Sequence, residues 1–159
     1  MQIQQVSNLD TMDDELKGLA THENLKRAFL REAGNAHRYL YFARIAEIEG
    51  FPAPAQLFRD LAESCLCNAH GNLDFLKRVG DPATDLPIGE SEDNLLAAIT
   101  SATGDSNDFY PQLTEAAHQE GQADIANWFA TMERTSRNHS EKLHRALTQL
   151  RATLGQEEA

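Results

Sequence analysis

Cysteine is almost missing from this chain: there are two, Cys65 and Cys67. If residues 55–79 are helical, their i,i+2 spacing sends the side chains to well-separated sides, so they cannot bridge each other. Nor is the spacing the C-x-x-C of zinc or redox sites, and both read as small hydrophobes in a reducing compartment. No apolar run approaches the roughly 18 residues that a membrane span needs. The opening residues MQIQQVSNLDTMDDELKG carry neither the basic start nor the apolar stretch of a secretory signal, which sets the expectation of a cytoplasmic protein. Positive charge is scarce as well, with 14 Lys and Arg against 25 Asp and Glu, a net charge of −11 and a pI near 4.9. Such a field repels a phosphate backbone, so nucleic acid is excluded as a partner.

What remains is enough chain, 159 residues, to close one hydrophobic core without staples. β-branched residues are sparse, and the five prolines and nine glycines gather in a few places, so the chain reads as helices joined by short breaks. Residues 1–19 form a polar lead-in. Thr21 is the expected N-cap of a first helix with Leu25, Ala28, Phe29, Ala36, Tyr39, Leu40, Ala43 and Ala46 at helical spacing, ending at Gly50. Pro52 and Pro54 open a second helix, which stops by Gly80. After the connection GDPATDLPIGE, Ser91 opens a third that runs to Gly121 with Pro111 as an internal kink. A fourth carries Ile125, Trp128, Phe129, Met132, Leu143, Leu147 and Leu150, and a polar tail begins at Gly155.

The segment Thr21-His22-Glu23-Asn24-Leu25 recurs as Ser91-Glu92-Asp93-Asn94-Leu95 at an offset of 70. Glu49-Gly50 recurs as Glu120-Gly121 at an offset of 71, as do Ala55 with Ala126 and Phe58 with Phe129. Two duplicated helical hairpins make an all-α, antiparallel four-helix bundle over residues 20–154, with residues 155–159 as a tail.

Glu32 interrupts the apolar stripe between Phe29 and Ala36 with a carboxylate. If buried, it needs a partner or a metal; otherwise it snorkels or pairs with an arginine such as Arg38 or Arg59. Counting outward from the turn at about 1.5 Å per residue puts Glu32 level with Cys65 and Asn68. In the second hairpin the same count puts Ala102 and Asp105 level with Ser136 and His139.

The strings ENLKRAFLREAGNAHRYLYFARIAEIEGF, FRDLAES, VGDPATDLPIGESEDNLLAAI, FYPQL and IANWFATMERTSRNH resemble the rubrerythrins, ferritin-like di-iron peroxidases, over about residues 20–150. The resemblance implies a ferritin-like bundle, commonly a homodimer, with two carboxylate-bridged irons. The ligands would be a Glu on the first helix, E-x-x-H on the second, a Glu pair spaced by three on the third and E-x-x-H on the fourth. This chain keeps Glu32 and His139. Cys65 and Asn68 replace the second helix's pair, Ala102 and the shorter Asp105 the Glu pair, and Ser136 the last Glu. No C-x-x-C pair follows residue 150, so the rubredoxin domain that often accompanies the bundle is not expected.

A di-iron centre needs about four carboxylates, and Glu32 and Asp105 supply two at most, which disfavours an intact one. Three readings stand side by side. The first is a metal-free polar core without a cofactor, in which Glu32 and His139 pair through hydrogen bonds and the protein is a non-catalytic binding or structural homologue. The second is an altered mononuclear zinc or iron site, or thiol redox site, of Glu32, Cys65, Asp105 and His139. The third is retained metal-dependent peroxide reduction. Residues 100–108, TSATGDSND, are poor helix formers, and the helix is expected to break or loosen there and to carry Asp105 out of the core. His22, His37, His70, His118 and His144 read as solvent-facing or satisfied. Tyr39 either hydrogen-bonds a core carboxylate or simply packs.

Overall fold

Gly50 and Gly121 hold left-handed backbone conformations, with φ of 82° and 74°, that side chains disfavour and that end a helix cleanly. Around Gly50, the Phe51 N–H donates to the Ala46 carbonyl at 2.8 Å and the Gly50 N–H to Glu47 at 3.1 Å. Seventy-one residues on, Gln122 donates to Ala117 at 2.8 Å and Gly121 to His118 at 3.0 Å. The duplication is therefore legible in the backbone as well as in the letters. Pro52 follows the first turn at once, its missing N–H costing nothing at the first position of a helix.

The computed structural model describes residues 16–157, and these are built of helices and turns. Helix α1 spans Ala20–Ile48 and α2 spans Pro52–Leu76. Helix α3, Ser91–Gly104, runs through a π-helix, Asp105–Phe109, into α4, Tyr110–Gln119, and α5 covers Ala123–Glu157. The chain divides into two units, residues 1–82 and 83–159, each holding one hairpin. No described helix is long and apolar enough to cross a membrane.

The first hairpin is sewn together by alanine. On α2, Ala55, Ala62, Ala69 and Leu76 recur every seven residues and are 0–3% exposed; on α1, Ala36, Ala43 and Ala46 are also buried. A strict heptad of small side chains lets two helices approach closely along one seam. The larger apolar groups lie on its flanks: Tyr39, Phe42 and Phe58 cluster with ring centroids 5.5–6.4 Å apart, while Leu30, Leu57 and Leu61 remain exposed. In the second hairpin, Ala97, Ala102, Ser106 and Ala117 on one side and Ala126, Ser136 and Leu147 on α5 are among the buried residues. Its far end is tied by Arg151, whose Nε and Nη2 donate to Glu92 Oε1 at 2.8 and 2.7 Å.

Several sequence expectations are corrected. Thr21 does not cap α1: the helix starts at Ala20, with Leu19 in the cap position and no side-chain cap bond. Residues 100–108 do not break. The helix absorbs one extra residue as a π turn, closed by the Tyr110 N–H on the Asp105 carbonyl, so Asp105 stays in the helix. That extra residue explains why the repeat offset changes from 70 to 71. It also accommodates Pro111, which has no N–H to give to the carbonyl four residues back. At the other end Gly155 starts no tail, because α5 continues to Glu157. Residues 1–15 of the lead-in and 158–159 of the tail lie outside the described residues.

If the alanine seam sets the spacing of α1 and α2, Ala62→Leu should overpack it and cost about 1–3 kcal/mol in urea denaturation. An unchanged midpoint would show that the helices do not meet there.

Candidate functional site

In the first hairpin, α1 presents Glu32 one turn before the seam residue Ala36, and α2 presents Cys65 and Asn68 one turn apart between Ala62 and Ala69. Because the seam holds the helices close, the three side chains meet. Asn68 Nδ2 donates to Glu32 Oε2 at 3.0 Å. Cys65 stands beside Glu32, and its thiol is pushed above the ordinary cysteine value, first by desolvation and then by the neighbouring Glu32 carboxylate, as a hydrogen-bonding partner of the protonated form and as a negative charge. All three effects favour the protonated thiol. The arginines considered as partners for Glu32 are engaged elsewhere: Arg59 with Glu47 at 2.5 Å, and Arg38 with Asn35 Oδ1 at 3.3 Å and over the Phe42 ring.

Tyr39 packs. Its ring stacks on Phe58 at 6.2 Å, and its hydroxyl makes no hydrogen bond among the described residues. His22, expected to be exposed or satisfied, is buried, and its Nε2 has no hydrogen-bond partner among the described residues.

In the second hairpin, the remaining positions line one groove of about 510 Å³: Ala102 and Asp105 from the α3–π segment, and Ser136, His139, Lys142 and Leu143 from α5. Ala102 and Ser136 are nearly buried, at 9% and 8% exposed, so their short side chains form the groove's floor. Asp105 is half-buried and His139 exposed. Lys142, which the sequence reading did not single out, brings a cation to the same groove, one helical turn beyond His139. Within either hairpin, no three described His, Cys, Asp or Glu side chains converge as a metal cage.

The structure thus brings Glu32, Cys65 and Asn68 together in one hairpin, and Ala102, Asp105, Ser136 and His139 together in the other. Each group is a level of its own hairpin, as counting from the turns expects.

The Glu32–Cys65 contact has a measurable consequence. With Cys67→Ser to leave one thiol, alkylation of Cys65 should follow a pH profile with its midpoint above that of an ordinary exposed cysteine, since the raised value keeps the thiol protonated at lower pH. Removing the charge with Glu32→Gln should move that midpoint down and speed alkylation at pH 8. An unmoved profile would separate the two side chains.

Comparison with known proteins follows the same residues. The sequence model of the Rubrerythrin family matches residues 23–65, a span that contains Glu32 and ends on Cys65. Rubrerythrin-1 of Clostridium acetobutylicum is 29% identical over 83% of this chain and 71% of its own length. The rubrerythrin of Porphyromonas gingivalis is 30% identical over 82% of this chain and 68% of its own. That of Nitratidesulfovibrio vulgaris is 31% identical over 74% and 63%. With paired helical hairpins and these relatives over most of its length, the chain belongs to the rubrerythrin family, in the all-α, ferritin-like class.

Proposed function

We propose that this chain is a rubrerythrin-family protein that has given up di-iron chemistry and serves as a cytoplasmic binding or structural protein. The observation that carries the reading is the hydrogen bond from Asn68 to Glu32, with Cys65 beside it. Where the family resemblance implies a carboxylate and an imidazole on the second helix, the side chains present are an amide that donates and a thiol that keeps its proton. The amide satisfies the Glu32 carboxylate as an acceptor without a cation, and the protonated thiol adds no second negative charge beside it.

The donor set does not suit two irons. Two bridged cations call for about four carboxylates together with imidazole. The first hairpin offers one carboxylate, and the second offers Asp105 with His139 beside an alanine and a serine. Lys142 adds a positive charge to the groove of Asp105 and His139, a further argument against cation binding there. The mononuclear zinc or iron alternative draws on the adjacency of Glu32 and Cys65. It requires the thiolate, however, and every influence on Cys65 opposes that form. Thiol redox chemistry meets the same obstacle.

Restoring the replaced ligands tests the proposal. The variant carrying Cys65→Glu, Asn68→His, Ala102→Glu and Ser136→Glu should take up iron from a ferrous solution that leaves the parent unloaded. Equal iron content in parent and variant would overturn the reading, and zinc retained by the parent but lost in Cys65→Ser would favour the mononuclear site instead.

A further inference from the structure

On a different face of α5 from the groove of Asp105 and His139, the second hairpin carries another groove, of about 590 Å³. Thr103 and Ser106 line it from the α3–π segment, and Arg137, Ser140, His144 and Arg145 from α5. In a chain of net charge −11, two guanidinium groups gather here against one lining carboxylate, Glu141. Arg137 shares its charge with Glu133 at 2.7 Å, while Arg145 makes no ion pair or hydrogen bond among the described residues.

The repeat supplies an internal control. At the offset of 71 that relates α5 to α2, Arg137, Ser140 and His144 correspond to Leu66, Ala69 and Leu73. At the offset of 70 that holds before the extra residue, Thr103 corresponds to Ala33. At the offset of 71 Glu141 and Arg145 correspond to His70 and Asp74, so the first hairpin builds the same helix pair without a hydroxyl or a guanidinium at any of these places. Hairpin packing does not ask for hydroxyls and cations, and their presence in one copy alone points to a ligand.

The hydrogen-bond pattern says which ligand. Thr103 Oγ1 and Ser140 Oγ lie 3.0 Å apart, and since one proton serves that bond the other is left to donate outward. The Ser106 hydroxyl donates to the Thr103 carbonyl at 3.1 Å, and Asn107 brings an NH₂ donor to the groove. His144 Nδ1 sits 2.8 Å from the Ser140 carbonyl, which assigns the proton of the neutral ring to Nδ1 and leaves Nε2 as an acceptor. Guanidinium, hydroxyl and amide donors beside one imidazole acceptor suit an anion that has several oxygens and also a proton of its own. Hydrogen phosphate and protonated phosphomonoesters have both; a carboxylate has no proton to give to Nε2.

We propose that this groove binds a phosphoryl group, either as free phosphate or at the end of a small phosphorylated metabolite. The π-helix contributes by placing Ser106 and Asn107 at its rim, and such interruptions are common at functional sites. Calorimetric titration of the full chain with inorganic phosphate and with glycerol 3-phosphate, against acetate at equal ionic strength, tests it. Saturable binding of either phosphate is expected, with none for acetate. Affinity should fall at least about tenfold, roughly 1.4 kcal/mol, in Arg137→Gln/Arg145→Gln and measurably in Arg145→Gln alone. Tighter binding of the ester would identify the ligand as a metabolite, and equal binding would identify free phosphate. Lys142→Gln, in the other groove, should leave affinity unchanged. Absence of saturable phosphate binding, equal affinity for acetate, or full affinity in Arg145→Gln with native circular dichroism would each overturn the proposal.

Discussion

Helices that meet on alanine approach closely, and that approach brings position 32 of α1 opposite positions 65 and 68 of α2. With Ala36, Ala43, Ala55, Ala62 and Ala69 almost wholly enclosed, little side-chain volume holds the axes apart. A carboxylate beside such a seam has exchanged part of its hydration for whatever stands across from it. For Glu32 that is an amide donor and a protonated thiol, and the rest of the functional reading follows from this compensation.

Duplication makes the chain its own reference. The two turns share bond pattern and left-handed glycine, so differences between the hairpins away from the turns are not demands of the fold. Judged this way, the hairpins have diverged in opposite respects. The first keeps its carboxylate and satisfies it internally. The second has Ala102 and Ser136 as the floor of a groove with Asp105, His139 and Lys142 around it. The π turn belongs to the second copy alone, where the helix took in one residue without losing its path.

Much of the fold was legible because its signals are local. Gly50, Pro52, Gly80 and Gly121 punctuate the helices as their backbone preferences dictate, and the repeat fixed which residues share a level. The π-helix was not legible. Gly104, Asp105, Ser106 and Asn107 have low helix propensity, which suggested a break, but packing against α5 overrides propensity in a helix anchored at both ends. Thr21 offered a capping side chain that the chain does not use, and Gly155 a stop that α5 passes through, both at termini where such signals are weakest. The site positions followed from counting along helices. That Asn68 would donate to Glu32 depended on rotamers, and that Arg145 and Ser140 would share a groove with Thr103 depended on contacts between segments far apart in sequence.

Whether hydrogen bonds satisfy Glu32 in place of metal ions is tested most directly by adding ferrous ion anaerobically to the unaltered protein and counting bound iron after dialysis. Far less than one iron per chain is the expected result. About two irons per chain, developing the visible absorption of an oxo-bridged pair on exposure to oxygen, would contradict it.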